Sequence, residues 1–257
     1  MTIPSRLLAR SITAAFITTV ALGTPACGSA NPHAGRTAST ANERPASASR
    51  LRACGVPRLQ SGTRPPKSAI LRDGIAACLV NLSRFEPRPE NSRFNHRVPT
   101  KAQLAAFRRV NRNPYKSRIT GHYVGTTDEI IQWAAWKWGI SADLLRAAAV
   151  YESWWRQSII GDGGTSYGIM QLKKTFNPGF WPLVQRSTAF DVDAYAATLR
   201  YYYDGYATWL HHGYRAGDIW GSVGAYFKAQ WHTPPADHYA RGVRTHMLAQ
   251  TWRGTHF

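Results

Sequence analysis

The stretch Tyr151-Glu152-Ser153-Trp154-Trp155, closely followed by Gly161-Asp162-Gly163-Gly164-Thr165-Ser166-Tyr167-Gly168-Ile169-Met170-Gln171, decides how this chain is read. It puts a carboxylate at the end of an apolar segment, beside a Gly-rich turn and several aromatic rings. Working outward from it, Ser141 is placed to cap a helix in which Leu145, Ala148, Ala149 and Glu152 recur at i, i+3, i+4 and i+7. Glu152 therefore falls on the buried face of that helix, near its C-terminus. One element earlier, Thr126-Thr127-Asp128 predicts the start of a helix that runs to Gly139, with Ile130, Ile131, Ala134, Ala135 and Trp138 on one stripe and Trp133 and Trp136 widening it. The pattern is that of a mainly α protein.

The position of Glu152 has a chemical consequence. A carboxylate on an apolar stripe near a helix C-terminus loses hydrating water and meets the negative end of the helix dipole, and both favour its protonated form. A Glu that keeps its proton near neutral pH can serve as a general acid. Glu129, the other Glu after residue 120, falls in the first turn of its helix, where a carboxylate is stabilised as an anion and does structural work. Taken without the residues that follow it, a buried helical Glu is more readily a structural hydrogen-bonding group.

Composition bounds the rest. The chain has 257 residues and a formal net charge of +18, enough length for one good-sized domain with appendages. The charge is uneven: residues 1–120 hold 20 Lys and Arg against 4 Asp and Glu, residues 121–257 only 12 against 10. All 10 Trp and 11 of the 12 Tyr also follow residue 120, which places an expected boundary there. Arg6 and Arg10 ahead of the apolar run 12–22 read as an export signal too short and Thr-rich to span a bilayer. Residues 1–27 are taken as that signal. Thr24-Pro25-Ala26-Cys27 suits either cleavage after Ala26 or, with an incomplete match, a lipoprotein signal that lipidates Cys27. In an oxidising compartment Cys54 and Cys78 can pair, leaving Cys27 for the lipid; a buried thiol at Cys78 is the alternative.

Residues 28–50, rich in Ala, Ser, Thr, Pro and Arg, read as a linker. Residues 51–120 read as a basic, loosely structured arm with helices expected over 68–82 and 100–110. Such an arm suits electrostatic adhesion to anionic wall polymers or a membrane surface. Export and the lack of any recognition motif argue against nucleic acid. His211-His212 and the group His232, Asp237, His238 have no recognised metal-ligand spacing, and no cofactor motif is present.

Four segments, in order, resemble the lysozyme-like superfamily, in particular soluble lytic transglycosylases and goose-type lysozymes. They are Glu152-Ser153, then Ser166-Tyr167-Gly168-Ile169-Met170-Gln171 against the family's Gly-Leu-Met-Gln, Phe190-Asp191-Val192-Asp193 against its Phe-Asp-Pro, and Gly224-Ala225-Tyr226-Phe227-Lys228-Ala229 against its Ala-Tyr-Asn-Ala-Gly. The resemblance implies a helical catalytic domain over residues 121–257, monomeric, binding peptidoglycan strands, with Glu152 as the single acid and base. The products expected are a 1,6-anhydro sugar if the substrate's 6-hydroxyl attacks, or a hydrolysed end if water does. Chitin or another N-acetylated glycan is an alternative substrate, and a wall-binding protein without activity is the alternative function.

Asp162 resembles an acid of goose-type lysozymes in the same turn, while another acid of those enzymes falls on Lys173 here. Asp162 is thus a possible second carboxylate or else a turn residue bonding the backbone of Gly163-Gly164. Asp191 and Asp193 are expected to cap the helix that follows them, and Phe227 stands where the family has Asn. Ser153, Tyr167, Gly168, Met170, Gln171 and Tyr226, lying within or beside the motifs, are the expected substrate-binding residues.

Overall fold

The computed structural model describes residues 47–56, 70–211, 213–255 and 257. The expected export signal, Cys27 and most of the linker lie outside them. The described chain is mainly helical: α1 (Ala48–Ala53), α2 (Asp73–Cys78), α3 (Ser92–Asn95), α4 (Lys101–Val110), α5 (Thr127–Trp138), α6 (Ala142–Ser153), α7 (Leu183–Arg186), α8 (Thr188–Tyr203), α9 (Ile219–Lys228) and α10 (Pro234–Ala249). Between α6 and α7 the strands β1 (Ile160–Gly161), β2 (Ser166–Tyr167) and β3 (Leu172–Lys173) form a small antiparallel sheet.

Local chemistry sets the ends of the two helices that matter most. Thr126 and Glu129 form a reciprocal capping box at the start of α5, and Gly139, at φ +64°, ends it in the left-handed conformation. Ser141 caps α6 through the Leu144 amide. This helix ends at Trp154, a non-glycine residue at φ +53°, and Trp155 follows at φ +61°. Two successive bulky residues in that region are costly by themselves. Burial offsets the cost: Trp155 is fully buried and its indole donates to the Arg146 carbonyl at 3.0 Å.

Among the described residues, the helix expected over 68–82 is realised only as α2. Beyond Cys78 the backbone finds side-chain partners on α5 instead of continuing the helix. The Asn81 amide donates to Gln132 at 3.0 Å, and the Ser83 amide donates to Glu129 at 2.7 Å. Asp191 and Asp193 do not cap α8 as expected. Ser187 does so, through the Phe190 amide, and both aspartates lie a turn inside the helix with no exposed surface. Asp193 accepts from Lys137 at 2.8 Å and from the Trp138 indole at 2.6 Å, while Lys137 also meets Asp73 at 2.7 Å. A buried carboxylate is tolerable only when paired in this way.

The composition change near residue 120 is not a packing boundary. Residues Arg44–Phe257 form one compact unit. Ala76, Val80, Leu104, Phe107, Tyr115 and Ile119 join the same apolar cluster as Trp133, Trp138, Leu145, Phe190 and Val223. Residues 70–118 therefore differ from the loosely structured arm expected of them. Most of their basic side chains face outward, while Ala76 of α2 and Leu104 and Phe107 of α4 face in. Cys54 and Cys78 form a disulfide that joins the end of α1 to the end of α2. Among the described residues no helix is long and apolar enough to cross a membrane.

Candidate active site

The centre of the site is Glu152, on the last turn of α6. Glu152 as a residue keeps some accessible surface, while the protein packed round its carboxyl strips that group of water. That desolvation pushes its pKa up to about 8, with a contribution from the negative charge of Asp162 and an opposing one from a hydrogen bond. The opposing bond is donated by the Tyr239 hydroxyl to Oε1. Tyr239 lies on α10, and α10 packs on both α6 and α9.

A group of phenols surrounds this pair. Tyr239 stacks on Phe227 at 4.8 Å and meets Tyr151 edge-on at 5.1 Å; Tyr226 meets Tyr195 edge-on at 4.5 Å. Burial and the Glu152 charge hold Tyr195, Tyr226 and Tyr239 well above the usual phenol range, so they keep their protons and do not act as bases. Phe227, which replaces the Asn of the resembling motif, buttresses Tyr239 and thereby Glu152.

The segment Gly168–Gln171 is held against the helix end from three sides. Ser153 donates to the Ile169 carbonyl at 2.8 Å, Tyr226 donates to the Met170 carbonyl, and Asp191 accepts from the Met170 amide at 3.1 Å. Gly168 is required where it stands. At φ +82°, an added Cβ would lie 2.1 Å from Asp191 Oδ2 and 2.6 Å from the Val184 carbonyl oxygen. Gln157, also buried, accepts from the Ile169 amide at 3.2 Å and donates to the Val184 carbonyl at 2.6 Å. Asp191 is fully buried and its Oδ1 has no hydrogen-bond partner. Burial raises its pKa well above the ordinary carboxylate value, with Glu152 adding to the rise.

The expected substrate-binding residues divide into two groups. Ser153 and Met170 are buried, at 6% and 0% exposure, so their side chains shape the site from behind and meet no solvent-borne molecule. Gly168 is buried likewise. Tyr167, Gln171 and Tyr226 keep accessible surface. The Tyr167 hydroxyl donates to the Gly164 carbonyl at 2.6 Å and its ring lies 6.4 Å from that of Trp181. The Gln171 amide group donates to the Gly168 carbonyl at 2.7 Å and the Ile159 carbonyl at 3.2 Å.

Asp162 sits exposed in the turn between β1 and β2, at φ +49°. Its Oδ2 accepts from Ser166 at 2.8 Å and from Lys173 at 3.1 Å. The Ser166 hydroxyl first and then Lys173, working against partial burial, hold its carboxyl below the ordinary carboxylate range.

Sequence reasoning missed Tyr239, Tyr195 and the role of Asp191 behind the loop. Tyr239 belongs to a helix with no motif around it, so no local signal marks it. Asp191 lies in the segment Phe190-Asp191-Val192-Asp193, but its burial depends on how α8 packs on Gly168.

Elsewhere, His232 bridges Asp218 at 2.7 Å and Asp237 at 3.0 Å, tying the start of α9 to the start of α10. A cavity of about 410 Å³ beside it is lined by Arg215, Asp218 and Trp231 and contains none of the expected site residues. Among the described residues no group of three or more His, Cys, Asp or Glu is placed to hold a metal ion. Comparison of the chain with protein-family models, curated proteins and solved structures returns no match.

Proposed function

We propose that the protein is an exported bacterial enzyme that cleaves peptidoglycan, a lytic transglycosylase of lysozyme-like fold that cuts the MurNAc-GlcNAc bond with Glu152 as its single general acid and base. The arrangement that supports this reading is a desolvated carboxyl on the last turn of α6, bonded by the Tyr239 hydroxyl and with its pKa pushed up to about 8, beside the segment Gly168–Gln171 that Ser153 and Tyr226 hold in place. At neutral pH Glu152 is mostly protonated and donates to the glycosidic oxygen as the C1–O bond breaks. The resulting carboxylate is held in place by Tyr239, which stabilises the anion, and then takes the proton of the attacking hydroxyl. Tyr167, Gln171 and Tyr226 are the residues proposed to meet the sugar chain. No cofactor is needed for this chemistry.

Glycosidases commonly use two carboxylates about 5–9.5 Å apart. Asp162 is engaged by Ser166 and Lys173 and Asp191 is sealed behind the loop, which favours the one-carboxylate route and closure on the substrate's own 6-hydroxyl. Digestion of purified peptidoglycan, with mass analysis of the released muropeptides, tests the reading. Anhydro ends are expected from the parent, and Glu152→Gln is expected to lower the rate by about 10²–10⁴-fold. Hydrolysed ends would make the enzyme a lysozyme. Absence of cleavage, or activity surviving in Glu152→Gln, would leave a wall-binding protein instead.

A further inference from the structure

Three rings surround the phenol of Tyr239, and they differ in what they leave open. Tyr226 spends its hydroxyl on the Met170 carbonyl and meets Tyr195 edge-on at 4.5 Å. Tyr151 meets Tyr239 edge-on at 5.1 Å and lies against the backbone of α10, where a Cβ added to Gly242 would come within 2.2 Å of its ring. Phe227 is placed otherwise. Its ring lies 4.8 Å from that of Tyr239 and parallel to it within 2°, so the phenol covers one face, while 52% of the residue stays exposed. It stands on the last turn of α9, which ends at Lys228; Ala229 turns left-handed at φ +52°, and residues 227–230 are all exposed. A lone exposed apolar ring is ordinary surface. The position of this one is not, because the ring it rests on donates the hydrogen bond that Glu152 receives.

Resting on the reading of Glu152 as the acid of a glycan-cleaving site, we infer that Phe227 is a substrate-contacting residue, whose open ring face stacks on a sugar of the chain beside the bond that is cut. A pyranose whose substituents stand equatorial turns its axial C–H groups to either side, and these carry the partial positive charge that the negative face of an aromatic ring attracts. Phe offers neither donor nor acceptor, so it reads the flat face of the sugar and none of its polar substituents. The resembling motif has Asn at this place, a side chain that brings two donors and an acceptor. This chain has ring area there instead, which makes the contact a feature of its own sequence. A peptide stem or an acidic substituent on the sugar is not sensed at Phe227; strands with and without peptide meet the same ring.

The test is calorimetric titration of peptide-free glycan strands, prepared from purified peptidoglycan, into the Glu152→Gln protein and into the same protein carrying Phe227→Leu or Phe227→Tyr. Leu keeps apolar bulk against Tyr239 but has no ring face; Tyr keeps the face. Kd is expected to rise about three- to tenfold with Leu and to stay within about twofold with Tyr. Titration also returns the number of sites, so unfolded protein lowers that number and leaves Kd alone. A mere buttress acting through Tyr239 is read separately, in the pH–rate profile of Phe227→Leu with Glu152 intact. A buttress shifts the alkaline limb, whereas a substrate contact raises KM and leaves kcat and the limb parental. An unchanged Kd with Leu, or a shifted limb with KM unchanged, overturns the inference while leaving Glu152 as the acid. A parent that cleaves nothing removes Glu152 from that role, and a ring-dependent Kd would still seat a sugar on Phe227. Strands that fail to bind at all overturn both.

Discussion

Tyr239 reaches Glu152 from 87 positions away in sequence, and at the scale of single residues this contact, under the proposed function, tunes the pH range of activity. The phenol donates to the carboxylate form and so lowers the pKa that burial raises. A general acid is active while protonated, so the alkaline limb of kcat/KM is expected near pH 8 in the parent. Removing the donor in Tyr239→Phe takes stabilisation from the anion only. A hydrogen bond to a charged group is worth about 1.5–3 kcal/mol, so the limb should move up by about one to two pH units. A pH–rate profile checks this, and a limb that moves down or stays would show that Tyr239 does not serve the anion. The candidate acid itself was legible from helix phase, because Glu152 follows Leu145, Ala148 and Ala149 at helical spacing. Its phenol partner was not, because nothing within α10 distinguishes Tyr239 from a packing residue.

Between elements, Asn91 does for the end of the acid-bearing helix what Tyr239 does for the acid. Its side chain is wholly buried; it donates to Thr127 Oγ1 at 3.0 Å and to the Trp155 carbonyl at 2.6 Å, and accepts from the Gln157 amide at 2.9 Å. It thereby joins the 3₁₀ turn Pro89–Asn91, the start of α5 and the left-handed turn after α6. Asn91→Ala leaves a backbone amide and a carbonyl buried and unpaired, at a cost of about 2–4 kcal/mol. A fall of that size in the free energy of unfolding is expected from denaturant titration. Wild-type stability in the variant would mean that the turn at Trp154 and Trp155 holds itself. The caps at Thr126 and Ser141 were legible because a cap lies within four residues of the amide it serves. The role of Asn91 and the early end of α2 were not, because their partners are 36 or more residues distant.

Over the whole molecule, charge and core separate by face and not by segment. Arg93, Arg97, Lys101, Arg109 and Arg112 are exposed on and around α3 and α4, while Leu104 and Phe107 of α4 are in the core. This is the surface we propose for adhesion to anionic wall polymers. Exposed charges are screened beyond about 10 Å at 0.1 M salt. Retention of the full chain on walls that keep their anionic polymers should therefore fall several-fold between about 50 and 300 mM salt, and walls stripped of them should bind weakly at either. A pull-down assay reads this, and salt-insensitive retention would assign binding to the sugar-facing site alone. What the sequence determined by itself was local: helices, their caps, the phase of Glu152 and the pairing of Cys54 with Cys78 as one of two options, because each depends on spacing along a short stretch or on a count. What only the tertiary structure decided was which distant groups share a dielectric and a hydrogen bond: Tyr239 on Glu152, Asp191 behind Gly168, Lys173 on Asp162, and the merging of residues 70–118 into one core. Those contacts depend on how packed elements meet in space, and composition reports total charge without reporting the face that carries it.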